Sequence, residues 1–176
     1  MKTRQNKARH FNSIMPFLNE KWASETLQTP LNNSKGPDLI DENKFIEIKF
    51  KLIYPDKYTH LSWRIMEHQK KYNDNGKKGL WGLGKYWMSK SVQKTDLNKP
   101  EELENLVIKR ELYLVKWDWI NQFPSYNQSG KTEISEWENK ICFAKGRLLP
   151  KITQTYNVNK GIIHLTKGVN KEDFNL

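Results

Sequence analysis

From Phe11 to Leu27 the apolar residues Phe11, Ile14, Met15, Leu18 and Trp22 recur at helical spacing, which predicts a first helix, with Pro16 marking its true start or a kink. The rhythm then changes. Gly36 to Ile53 reads GPDLIDENKFIEIKFKLI, two β-rich runs around the turn-prone Asp41, Glu42 and Asn43, and predicts a hairpin. From Thr59 to Tyr72, Leu61, Ile65, Met66, Gln69 and Tyr72 fall on one helical face, and the breakers Asn73, Asp74, Asn75 and Gly76 end the run, so a second helix is expected. Leu80 to Met88 and Glu111 to Trp117 read as strands, separated by a polar segment and a short helix after Pro100. Beyond Trp119 the apolar runs Ile141 to Ala144, Arg147 to Leu149 and Gly161 to Leu165 are short and predict peripheral strands or loops.

These elements describe a mixed α/β chain without internal repeats. At 176 residues it fits one domain, 1–176, with a core over about 11–120 and a C-terminal elaboration over about 121–176. Hydrophobic residues at 36% and aromatics at 12% are too many for a disordered chain. The net charge of +10 makes a polyanion, nucleic acid above all, the expected partner. No apolar run approaches the roughly 18 residues of a membrane span, and no signal-like segment follows the basic start, so a cytoplasmic protein without a membrane partner is expected. Residues 1–10, with Lys2, Arg4, Lys7 and Arg9 and no acid, read as a frayed tail or a phosphate-binding arm. The lone Cys142 has no internal disulfide partner, and the four histidines lack the spacing of a zinc site.

Candidate chemistry lies in the hairpin. Ile46, Ile48, Phe50 and Leu52 alternate with Glu47, Lys49 and Lys51, so a strand sends the two sets to opposite faces and leaves Glu47 beside Lys49. An isolated Glu-x-Lys is ordinarily a solvated surface pair. Here Asp38 precedes Glu47 by nine positions, and a short hairpin brings the two carboxylates together. Adjacent carboxylates repel unless a cation joins them. Magnesium takes hard oxygen ligands and is commonly held by one or two carboxylates, which suits Asp38 and Glu47, with the Ile48 carbonyl as a further ligand and manganese as a substitute ion.

Pro37-Asp38 followed by Glu47-Ile48-Lys49 resembles the PD-(D/E)xK nuclease superfamily, the restriction-endonuclease-like proteins, over roughly residues 20–72. The resemblance implies a central mixed β-sheet flanked by helices on both sides, carrying the site at the hairpin edge. It also implies that Asp38 and Glu47 hold the metal, that Lys49 orients the attacking water or steadies charge at the phosphate, and that cleavage leaves a 5′-phosphate and a 3′-hydroxyl. Many members add a glutamate from the first helix. Glu20 and Glu25 compete for that place, and periodicity favours Glu25, three residues after Trp22 and seven after Leu18, with Glu20 nearly opposite. Gln69 and Tyr72 are reminiscent of a glutamine-tyrosine element in one nuclease branch, but their spacing is one residue short. A core tyrosine beside a polar helix residue is the plainer reading, with Gln69 only a candidate for supporting the site.

Between His68 and Lys94 seven lysines face one acid, Asp74, with Trp81, Tyr86 and Trp87 interleaved. Lys70, Lys71, Lys77, Lys78 and Lys85 are accordingly expected to meet nucleic-acid phosphates, as are Lys35 and Lys51. The basic stretch from Lys140 onward reads as a second phosphate-facing surface or a generic basic one. Gly82 and Gly84 lie in a strand-like run and lack the Lys-Ser/Thr ending of a phosphate loop. The expected activity is magnesium-dependent hydrolysis of double-stranded DNA, of sequence-specific restriction type, by a homodimer in which each copy cuts one strand. The alternatives are a structure-selective nuclease such as a Holliday-junction resolvase, a homing or repair endonuclease, and a non-catalytic DNA-binding domain of the same fold.

Overall fold

The computed structural model describes residues 4–54, 61–74, 76–89, 99–125, 130–137, 140–145, 151–157 and 163–165. Helix α1 (Arg4–Leu27) begins upstream of the predicted Phe11, so most of the basic segment expected as a tail or arm is helical. Its buried row, Met15, Asn19, Ala23 and Leu27, advances by four residues at a time, while Pro16 and Phe17 stay exposed. The helix stops where Gln28 takes a left-handed conformation (φ 50°) and the Thr29 amide closes back on the Ser24 carbonyl at 3.1 Å, satisfying an otherwise orphaned acceptor.

The predicted hairpin follows as β1 (Leu39–Ile40) and β2 (Lys44–Ile53), antiparallel, with Leu39 opposite Ile46. Asp41 shapes its turn by accepting the amides of Asn43 at 2.8 Å and Lys44 at 2.9 Å. Next come β3 (Ser62–Met66), the single-turn α2 (Glu67–Lys70) and β4 (Lys78–Met88). The short helix expected after Pro100 is α3 (Pro100–Glu104), and it leads into β5 (Val107–Lys116) and α4 (Trp117–Asn121). The remaining described elements are strands: β6 (Lys131–Trp137), β7 (Lys140–Lys145), β8 (Lys151–Asn157) and β9 (Ile163–Leu165). Arg147 to Leu149 lie outside the described residues.

The chain is therefore mixed α/β, with two sheets and a few helices. The first sheet has the order β1-β2-β4-β5-β9, with β2 parallel to β4 and β4 antiparallel to β5; the second has the order β3-β6-β7-β8. Two faces of the first sheet are packed differently. Ile46, Ile48, Leu80, Leu112 and Leu114 meet Ala23 and Leu27 of α1. On the opposite face Phe45, Trp81, Leu83, Tyr113 and Val115 pack against Trp63, Ile65, Ile134 and Phe143 of the second sheet, together with residues of α4. Helices on both sides were expected; a second antiparallel sheet covers most of that face instead.

Thr59 to Tyr72 is the main correction to the predicted elements. Ser62, Trp63, Arg64, Ile65 and Met66 alternate partly exposed and buried, and β3 pairs antiparallel with β6, with the Trp63 indole donating to the Gly84 carbonyl at 2.8 Å. The helical spacing of Leu61, Ile65 and Gln69 is a coincidence of composition, overridden by a sheet partner distant in sequence. Thr59 and His60 lie outside the described residues.

Arg110 ties α1 to the sheet. It donates to Asn19 at 2.9 Å and pairs through two nitrogens with Glu104, at 2.6 and 2.7 Å. The glycines of β4 serve packing: a Cβ at Gly82 would stand 2.5 Å from the Ile48 side chain, and one at Gly84 would strike the Phe50 ring. Among the described residues no helix is long and apolar enough to cross a membrane.

Candidate active site

Continuing the β1–β2 register by one residue sets Asp38 opposite Glu47. The Asp38 carboxylate accepts the Ile48 amide at 2.7 Å, which pins it over β2. Glu47 and Lys49 share the face turned toward the second sheet, as the alternation predicts, with Lys49 Nζ 3.7 Å from Glu47 Oε1. The same Glu47 oxygen accepts the Gln69 amide at 2.7 Å, and Gln69 Oε1 in turn accepts the Met66 amide at 3.1 Å. Gln69 is thereby held from both ends of its carboxamide. Gln69, a supporting candidate in the sequence, reaches Glu47 because the strand β3, not a long helix, delivers the short α2 to this face.

The helix carboxylate at the site is Glu20, not the expected Glu25. Glu25 lies 69% exposed and 4.0 Å from Lys21 on the outer side of α1. Glu20 is half-buried, and its carboxyl is pushed up to about 7, first by burial and then by the charge of Asp38, with Lys49 opposing. Extrapolating from Leu18 and Trp22 missed the drift of the buried row: at about 100° per residue, a row stepping by four turns gradually around the helix. By Ala23 and Leu27 that row has moved to the flank of Glu20 and away from Glu25.

Electrostatics mark the cluster. Burial lifts the Glu47 carboxyl to about 7, with Asp38 and Glu20 adding repulsion and Lys49 counteracting it. Asp38 is raised by burial too, against the pull of the Ile48 amide and Lys49. Partly buried acids that repel one another are characteristic of functional sites, and of positions where a cation offsets the charge. Among the described residues no group of three or more His, Cys, Asp or Glu side chains is arranged to hold a metal ion. The donor chemistry fits a divalent ion on two carboxylates, Asp38 and Glu47, because magnesium draws its remaining ligands from water and phosphate. At Ile48 the described contact to the site is through the amide.

The expected phosphate-binding lysines divide. Lys85 is 8% exposed and donates to Glu136 at 2.8 Å and Tyr113 at 3.2 Å, with Glu111 at 3.2 Å, so it neutralises an internal cluster. Lys70 donates to the Phe123 carbonyl at 2.9 Å and to Thr132. Both are corrected from DNA contacts to structural cations: each lies where the second sheet, or the loop entering it, folds over the first. Lys35 and Lys71 are exposed, and Lys51 continues the Glu47–Lys49 row. Lys77 pairs with Asp74 at 3.0 Å, and the Lys78 amide donates to the Asn43 carbonyl at 2.8 Å. Of the basic stretch from Lys140, the side chains beyond Phe143 lie outside the described residues.

Comparison with known proteins adds no relative: no family model, curated protein or solved structure matches this chain.

Proposed function

We propose that this chain is a magnesium-dependent endonuclease that hydrolyses phosphodiester bonds in double-stranded DNA, with a restriction-endonuclease-like core, restriction-type sequence specificity and action as a homodimer. One observation carries the reading. Asp38, held by the Ile48 amide, faces Glu47, and Glu47 is flanked by Lys49 and Gln69. This reproduces in space the Asp38, Glu47 and Lys49 combination by which the sequence resembles PD-(D/E)xK nucleases.

In this reading Asp38 and Glu47 hold the ion, and Glu20 adds negative charge from the α1 side. When bound, magnesium supplies Lewis acidity at a phosphate oxygen and lowers the pKa of water. Lys49 stabilises the negative charge that grows on the phosphate as water adds to phosphorus and the 3′-oxygen leaves. Gln69 holds the Glu47 carboxylate in one orientation so that little reorganisation is needed. The net charge of +10 draws the polyanion to the site.

The test is a cleavage assay on duplex, four-way-junction and single-stranded DNA, with magnesium or with EDTA. Magnesium-dependent cutting of duplex at discrete positions, absent from Asp38→Asn and Glu47→Gln, is the expected result. Cutting confined to junctions replaces the restriction-type reading with a resolvase. Failure to cut any of the three leaves a DNA-binding domain at most.

A further inference from the structure

The face of β2 that carries Glu47 also carries Phe45, two residues earlier and about 7 Å along the strand. Beside Phe45 the surface opens into a cleft of about 600 Å³. The segment that separates this cleft from the carboxylates belongs to both: Gln69 reaches Glu47, while Lys70, Lys71, Tyr72 and Asn73 line the cleft. A strand bound at Asp38 and Glu47 therefore passes the cleft's mouth.

Three rings line it. Phe45 meets Tyr72 and Trp117 edge-on, at centroid distances of 4.8 and 5.1 Å. Gly79 lets this cluster close over β4, since a Cβ there would stand 2.7 Å from Phe45 and 2.8 Å from Trp117. Asn121 stiffens one wall, accepting the Trp81 indole at 3.2 Å and donating to the Lys70 carbonyl at 3.1 Å. Lys71, Lys77, Lys78 and Lys116 also line the cleft, against the acid Asp118.

A row of surface lysines suffices to guide a phosphodiester backbone. A cleft of this volume lies instead in the size range of small-molecule sites, and its rings, carboxamides and ammonium groups combine the chemistry that receives an unstacked base with that which receives a phosphate. We infer that the cleft is a nucleotide subsite, taking one unstacked nucleotide of the substrate strand with its base against Tyr72, the partly exposed ring that the buried Phe45 and Trp117 back, and its phosphate among the lysines. The inference rests on the nuclease reading for its claim that the nucleotide belongs to the strand being cut.

The test uses the full chain in EDTA, titrated with deoxyadenosine 5′-monophosphate, deoxyadenosine and inorganic phosphate while amide NMR shifts are followed. The nucleotide should bind on the order of tenfold more tightly than either fragment, moving amides of residues 70–79 and 116–121. Lys71→Glu with Lys116→Glu should weaken it by roughly tenfold or more, as loss of charge-assisted hydrogen bonds predicts. Lys21→Glu, which makes on α1 the same charge change as either single substitution, should not. If the double variant misfolds by circular dichroism, Lys116→Gln alone should still weaken binding. Phosphate binding as tightly as the nucleotide would reduce the cleft to an anion site, and nucleotide binding indifferent to these substitutions would remove the subsite. Because the titration needs no cleavage, the two readings fail separately. Nucleotide binding without cleavage of any DNA overturns the nuclease reading and the assignment to a cut strand; cleavage without nucleotide binding overturns the subsite alone.

Discussion

The Gln69 carboxamide donates to Glu47 at 2.7 Å while its oxygen accepts the Met66 amide at 3.1 Å, so a side chain of α2 locks the orientation of a side chain of β2. Such supporting partners typically contribute 10- to 100-fold to metal affinity or activity. Gln69→Met keeps the length of the side chain and deletes both bonds. We expect it to weaken magnesium or manganese binding, measured by calorimetry, by roughly tenfold, with cleavage falling alongside and thermal stability little changed. Unaltered metal affinity would show that Glu47 needs no such support.

Glu20 and Glu25 give a paired test, because they share a helix and differ only in what they face. Glu20→Gln removes charge coupled to Asp38 and Glu47, so it should weaken metal binding and lower turnover by about tenfold or more. Glu25→Gln, which loses an exposed pairing with Lys21, should leave both untouched and alter stability by less than about 0.5 kcal/mol. The reverse ranking would return the helix carboxylate to Glu25.

The contrast shows what a one-dimensional pattern carries. The β1–β2 hairpin was legible because its register is local: Asp41 shapes its own turn, and the alternation from Ile46 to Leu52 leaves a single way to bury Ile46 and Ile48. Asp38, Glu47 and Lys49 were legible with it. The drift of the α1 contact row depends on how that helix crosses the sheet, which no spacing within α1 contains. The β3–β6 pairing joins Trp63 to Ile134 across some seventy residues, and with it came the strand in place of a helix, the approach of Gln69 to Glu47 and the burial of Lys70. Lys85 looked like one more surface cation because Glu111 and Glu136, which hold it, lie on two other strands.

The acid cluster predicts a dependence of stability on pH. Glu47 titrates at about 7 in the folded protein against 4.5 for the unperturbed group, so the folded state keeps its proton where the unfolded state has lost it. That preference is fully present below about pH 4.5, declines as pH rises toward 7 and is gone above it, leaving a buried charge that opposes folding. Glu47→Gln removes the titration. In EDTA, its Tm relative to the parent should rise between pH 5 and pH 8, by several degrees for an effect on the order of 2 kcal/mol. Parallel Tm curves for the two proteins across this range would mean that the Glu47 charge costs nothing on folding.

The division of the lysines predicts which of them tune DNA binding and which hold the fold. With calcium in place of magnesium, affinity for duplex DNA should fall linearly with salt on logarithmic axes, because each neutralised phosphate releases counterions. If Lys35 and Lys51 touch phosphate, alanine at each should lower the slope by about one unit and leave Tm nearly unchanged. Lys85 should behave in the opposite way. Its ammonium sits between Glu111 and Glu136 at 3.2 and 2.8 Å, so Lys85→Met leaves Glu111 to Lys109 and Glu136 to the Tyr113 hydroxyl, and should cost about 1 to 3 kcal/mol of folding stability. Among molecules that remain folded at low temperature, its salt slope should match the parent, since Lys85 has no ammonium to offer a phosphate. A reduced slope with unchanged stability in Lys85→Met would place that lysine on the DNA after all.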